Sequence, residues 1–138
     1  MRIMGLDVGT KRIGVALSDE LFITAQGFAT IERKTIESDL EEIKRAAKEN
    51  SVEEIVVGLP ISMNGSYSAQ TKEVVKFTED LSKSTDIPVV TWDERLTTVQ
   101  AERTLLEADI SRSKRRGAVD KLAAQLILQS YLDSRKRG

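Results

Sequence analysis

The 138-residue chain contains no cysteine and no histidine. The first absence excludes disulfides, thiolate nucleophiles and cysteine-bound zinc or iron–sulfur centres. The second removes the commonest general base, every histidine-containing triad and the usual zinc ligand. Any catalysis therefore falls to carboxylates, hydroxyls, lysines or a metal held by carboxylates. Proline occurs only twice and aromatic residues make up 4% of the chain. A proline-rich linker is thus excluded, and the aromatic stacking platforms of single-strand-binding proteins are disfavoured. No apolar run is long enough for a bilayer span, and Met1–Gly5 opens no signal-like apolar stretch, so a cytoplasmic chain with no membrane partner is expected.

Hydrophobic residues at 40% and charged residues at 31% fit a folded chain, and the length predicts a single domain over residues 1–138. The formal net charge of −1 hides an asymmetry. Residues 1–110 carry 13 basic and 20 acidic side chains (net −7), whereas residues 111–138 carry 8 and 2 (net +6). A basic end on an acidic body suits a polyanionic partner; a solvated basic tail is the other reading of the same charges.

Three extended segments are predicted first, Arg2–Val8, Ile13–Leu17 and Phe22–Ile31, joined closely enough for an antiparallel meander. Ile36, Leu40, Ile43 and Ala47 then recur at helical spacing, predicting an amphipathic helix over residues 36–49. Ile55–Gly58 has the continuous apolar character of a strand covered on both faces. A loop from Gly58 to Gly65 follows, then a helix capped by Ser68 and running to about Lys83, with Val74, Val75, Phe77, Thr78 and Leu81 inward. Ile87–Trp92 reads as another buried strand, followed by a helix over about 98–107, a basic loop Ser111–Gly117 and a last helix over about Ala118–Asp133. The order βββ-α-β-α-β-α-α predicts an α/β fold with a mixed five-stranded sheet flanked by helices.

Acids within apolar segments need a reason, because an unpaired buried carboxylate is costly. Asp7 ends the first strand, Asp93 and Glu94 end the last, and Asp120 opens the most apolar helix. Ala123, Ala124 and Ile127 share the helix face of Asp120, so that face points inward and its small residues permit close approach to the sheet. Singly, each acid has an ordinary explanation: an Asx turn for Asp7, solvation or an ion pair with Arg95 for Asp93/Glu94, and helix-dipole complementation for Asp120. Together, strand ends and a helix laid on the sheet bring three distant places towards one cluster. Clustered carboxylates suit a hard cation, Mg²⁺ or Mn²⁺, which with phosphate oxygens in its shell promotes phosphodiester hydrolysis without histidine.

The run Gly5-Leu6-Asp7-Val8-Gly9-Thr10-Lys11, then Gly14-Val15-Ala16, Val56-Val57-Gly58-Leu59-Pro60 with Asn64-Gly65, Asp93-Glu94-Arg95-Leu96-Thr97-Thr98 and Asp120-Lys121-Leu122-Ala123-Ala124 resemble the YqgF (RuvX-type) family of the RNase H-like nuclease superfamily. The pieces stand in the family's order over nearly the whole chain. The resemblance implies the RNase H-like fold and a metal-dependent nuclease that matures the small-subunit (16S) ribosomal RNA precursor at its 5′ end; the older family label is Holliday junction resolvase. By position, Asp7, Glu94 and Asp120 match the family's catalytic, metal-holding acids. Glu94 is preferred to Asp93 on that comparison alone, leaving Asp93 a supporting or substrate-contacting role. Related resolvases commonly carry a fourth acid three positions after the last, where this chain has Ala123, which weakens the case for a firmly held second ion.

Phosphate or sugar contacts are expected from Lys11 and Arg12 at the first turn, Asn64 in the loop leaving the fourth strand, Arg95 and Thr98 beside the second acid, and Arg112, Lys114, Arg115 and Arg116 ahead of Asp120. The run Asp7–Lys11 is also similar to the first phosphate loop of actin-like ATPases, but those need two such domains. The expected partners are structured RNA and ribosomal precursor particles. Two alternatives are a dimer acting on branched DNA and a non-catalytic RNA- or ribosome-binding module.

Overall fold

The computed structural model describes residues 1–96 and 112–137, with the side chains of 112–119 and 136–137 outside that description. Five strands form one sheet: β1 (Arg2–Val8), β2 (Arg12–Ser18), β3 (Ala25–Glu32), β4 (Val52–Leu59) and β5 (Val89–Asp93). Their order across the sheet is β3-β2-β1-β4-β5. The meander β1–β3 is antiparallel, while β4 and β5 lie parallel to β1. This is the mixed five-stranded α/β sheet that the sequence predicts.

Two helices cover one face. Helix α1 (Ile36–Glu49) has the predicted bounds, and α2 (Ala69–Ser84) has Ser68 as N-cap, accepting from Thr71 N in a reciprocal capping box. Ile43 and Ala47 of α1 and Val74, Phe77 and Leu81 of α2 pack on Met4, Leu6, Val8, Ile55 and Val57. The opposite face is covered by α3 (Arg112–Arg137), whose Ala123, Ala124, Ile127, Leu128 and Leu132 pack on Ile3, Ala16 and Val56. Strand alternation thus sends Leu6 and Val8 to the α1/α2 side and leaves Asp7 on the α3 side.

Several boundaries differ from expectation for local reasons. Strand β3 begins at Ala25, not Phe22, because Asp19 Oδ1 accepts from Ile23 N and Thr24 N (2.7 and 3.0 Å) and Phe22 is left-handed at φ 59°. Strand β4 extends back to Val52 through two glutamates, since parallel pairing with β1 starts there. Strand β5 is half-buried rather than buried as expected, and among the described residues no strand pairs beyond it in the sheet. The expected basic loop Ser111–Gly117 is the largest correction. Helix α3 already begins at Arg112, so Arg112, Lys114, Arg115 and Arg116 lie on its first two turns. Arginine and lysine are good helix formers, and a single Gly117 costs a helix only about 1 kcal/mol, too little to break it. The helix expected over about 98–107, and Thr98 with it, lie outside the described residues.

Candidate active site

The C-terminal ends of β1, β4 and β5 point to the same edge of the sheet because the three strands are parallel. There Asp7 is 8% exposed and Glu94 3% exposed. Asp7 pairs across the ladder with Gly14, and a Cβ on Gly14 would overlap the carbonyl of Asp120. The missing side chain is what lets the third turn of α3 lie on the sheet beside Asp7. On the other flank, Gly58 pairs with Trp92, and its Cβ position lies 3.4 Å from Glu94 Cγ and overlaps Ile127 Cδ1. Asp7, Glu94 and the backbone of Asp120 therefore occupy the α3-covered face at one end of the sheet. Asp120 itself is half-buried.

Asp93 behaves differently from its neighbour. Both its oxygens accept from the Arg95 guanidinium (2.8–3.2 Å), and Oδ1 also accepts from Arg95 N at 2.9 Å. The Arg95 hydrogen bond holds the Asp93 carboxyl below the usual carboxylate range, and Asp93 in turn raises the Arg95 pKa. The same pairing aims the guanidinium: Arg95 Nη1 lies 3.4 Å from the Cβ position of Gly65, which is left-handed at φ 86°. Asn64 Oδ1 accepts from Ser66 N and Oγ (3.0 and 2.7 Å), so it shapes this loop beside Arg95. Lys11 is exposed on the β1–β2 turn, whereas Arg12 pairs with Glu32 through Nε at 2.9 Å.

The donor set is made of carboxylate oxygens alone, the chemistry that suits Mg²⁺ or Mn²⁺. Among the described residues, no group of three or more acidic side chains is arranged to hold a metal ion. Mg²⁺ is commonly bound by one or two carboxylates with substrate phosphates completing its shell, so the two buried acids Asp7 and Glu94 have the chemistry for it without a closed cage. Ala123, at the position of the fourth acid of related resolvases, is 1% exposed against the sheet. No helix among the described residues is long and apolar enough to cross a membrane.

Sequence reasoning missed the four sheet glycines under α3. Gly5 (its Cβ position 2.7 Å from Leu128 Cβ), Gly14, Gly27 and Gly58 form the track on which the helix rests. One glycine inside each of β1, β2, β3 and β4 was the available signal. It also missed Asp39, which is buried within α1.

The family model described as "RuvX: Holliday junction resolvase" matches residues 1–134. A relative from Desulforamulus reducens, described as "Putative pre-16S rRNA nuclease", is 54% identical over 134 residues, covering 97% of this chain and 98% of its own. One from Caldanaerobacter subterraneus subsp. tengcongensis, with the same description, is 57% identical over 137 residues and 99% of both chains. Among solved structures, Thermus thermophilus RuvC in complex with Holliday junction substrate superposes with a TM-score of 0.61 at 12% identity, over 99% of this chain and 96% of that one. The fowlpox virus Holliday junction resolvase superposes with a TM-score of 0.58 at 12% identity, over 97% and 99%. These two establish the RNase H-like fold, and the sequence matches establish the kinship: the chain belongs to the RuvX family.

Proposed function

We propose that the protein is a divalent-metal-dependent nuclease that hydrolyses phosphodiester bonds in structured nucleic acid, with the 5′ region of the 16S ribosomal RNA precursor as its substrate. The supporting observation is the burial of Asp7, on β1, and Glu94, in the turn that follows β5, on one face and at one end of the sheet. Names borne by relatives at 52–57% identity support pre-16S ribosomal RNA as the substrate, and its 5′ region follows from the family resemblance. In this reading Asp7, Glu94 and Asp120 hold Mg²⁺ or Mn²⁺. When bound, such an ion neutralises phosphate charge and eases ionisation of water. Water adds to phosphorus, one P–O ester bond breaks, and the fragments leave as a phosphate monoester and a hydroxyl.

Around the acids, the chain's cations orient the backbone. Arg95, held by Asp93, faces the Asn64–Gly65 loop, and Lys11 extends from the turn after Asp7. Arg112, Lys114, Arg115 and Arg116 lie along the turns of α3 that lead to Asp120, a basic approach for a polyanion. Arg12 shares its charge with Glu32, which makes it the weaker phosphate contact of the two cations at this turn. The setting is cytoplasmic, on or near ribosomal precursor particles. A second reading, branched DNA as substrate, is favoured by the family description, and it requires a dimer that places two sites symmetrically.

The test incubates wild type and Asp7→Asn with structured precursor RNA and with four-way DNA junctions, in Mg²⁺, Mn²⁺ or EDTA. Metal-dependent cleavage of RNA by wild type alone is expected, with a loss of at least about a hundredfold in the variant. Preferential junction cleavage by a dimer would favour the second reading. Cleavage that persists in EDTA or in Asp7→Asn overturns the mechanism, and metal-independent binding without any cleavage would mark a non-catalytic binding module.

A further inference from the structure

The β1–β2 turn, which ends the Asp7 strand and carries Lys11, is gripped from the α1/α2 side of the sheet by one residue. Arg33 donates from its backbone N to Lys11 O at 2.9 Å and from Nη1 to Gly9 O at 2.9 Å. Its Nε donates to Asp39 Oδ2 at 3.3 Å, and its guanidinium lies over the Phe77 ring, 5.3 Å from the centroid. Asp39, 1% exposed, is fixed in turn by Lys34 N, which donates to Oδ1 at 3.0 Å. The turn closes with Gly9 N donating to Arg12 O at 2.9 Å, an approach so tight that a Cβ on Gly9 would stand 2.8 Å from that oxygen.

An ion pair between a buried carboxylate and a half-buried guanidinium is a poor source of stability, because desolvation of the buried partner offsets much of its attraction. What it does supply is direction. A planar guanidinium with one edge on a carboxylate, a face on an aromatic ring and a third contact on a carbonyl has one orientation. We propose that Arg33, locked by Asp39, is a positioning residue for the nuclease reaction, setting the Gly9–Arg12 turn and through it the aim of the Asp7 carboxylate. The inference rests on the nuclease reading above. It also separates two effects: the backbone bond from Arg33 to Lys11 survives any side-chain change, so substrate binding is retained while the chemical step suffers.

The experiment compares wild type, Arg33→Ala, Arg33→Lys, Asp7→Asn and a charge control, Lys44→Ala on α1, in Mn²⁺-dependent RNA cleavage. Mn²⁺ binding without RNA is followed by the loss of the free-ion EPR signal. Arg33→Ala is expected to lower kcat about tenfold to a hundredfold with KM nearly unchanged, and to weaken Mn²⁺ binding. Millimolar guanidinium restores much of the rate in Arg33→Ala and none in Asp7→Asn. Arg33→Lys falls between, since an ammonium cannot serve the three contacts at once, and Lys44→Ala matches wild type. Wild-type kcat and Mn²⁺ binding in Arg33→Ala overturn the inference while leaving the nuclease reading intact. A rate loss that merely follows the unfolded fraction seen by circular dichroism, without guanidinium rescue, overturns it too. An inert wild type overturns the nuclease reading and this inference with it.

Discussion

Gly14 and Gly58 lie on either side of β1, and they differ in what a methyl group would meet. At Gly14 the obstacle is the Asp120 backbone carbonyl, whereas at Gly58 it is the far end of the Ile127 side chain. Backbone cannot yield without moving the helix, while an isoleucine terminus can change rotamer. Gly14→Ala is therefore expected to cost about 3 kcal/mol or more, and Gly58→Ala about 1 to 2 kcal/mol, in urea unfolding. The adjacent acids make a second contrast. Glu94 is buried on the α3 side, while Asp93 is engaged with Arg95. Glu94→Gln should abolish metal-dependent cleavage. Asp93→Asn should mainly raise KM, by releasing the Arg95 guanidinium, and steady-state kinetics on both variants separates the two roles. The sequence could not order this pair by itself, since the two are neighbours at a strand end where alternation gives way to a 3₁₀ turn over Glu94–Leu96.

Among the elements, α1 was legible from its period alone and α2 because period and cap agree: its inward apolar residues follow Ser68, the expected cap, whereas the Thr35 cap of α1 emerges only in the structure. Helix α3 was legible on its sheet-facing stripe but not at its start, where good helix-forming cations outweigh one glycine. Its other end is pinned by Tyr131, whose hydroxyl donates to Glu54 at 2.8 Å and whose ring meets Trp92 edge-on at 5.8 Å. Burial, then the Glu54 carboxylate, push the Tyr131 hydroxyl up to about 12 from 10.0. The folded state thus holds this proton more tightly than the unfolded chain. That contribution is whole below pH 10 and is lost as pH rises through about 12. Urea titrations across this window should show stability falling less steeply in Tyr131→Phe than in wild type, and equal slopes would remove the assigned role of this contact.

For the molecule as a whole, the charge asymmetry joins the fold to function. An acidic body of net −7 over residues 1–110 repels a phosphate backbone, while the net +6 of residues 111–138 attracts it. Binding of structured RNA by the Asp7→Asn variant should then weaken at least tenfold between about 50 and about 200 mM salt. A flat salt response, measured by fluorescence anisotropy, would leave the basic turns of α3 without their proposed role.

The lack of histidine and cysteine, the alternation of β1 and the Ser68 cap are local properties, carried by neighbouring residues and so readable in order along the chain. They determined which chemistry was open to this protein, that Asp7 and Leu6 would face opposite ways, and most of the element sequence. Which acids share a face, that β5 is only half-buried, that Arg33 reaches back to Gly9, and that four glycines make the bed for α3 depend on contacts between residues tens of positions apart. Those contacts exist only once parallel pairing and helix docking have closed the chain on itself, so tertiary structure alone decided them.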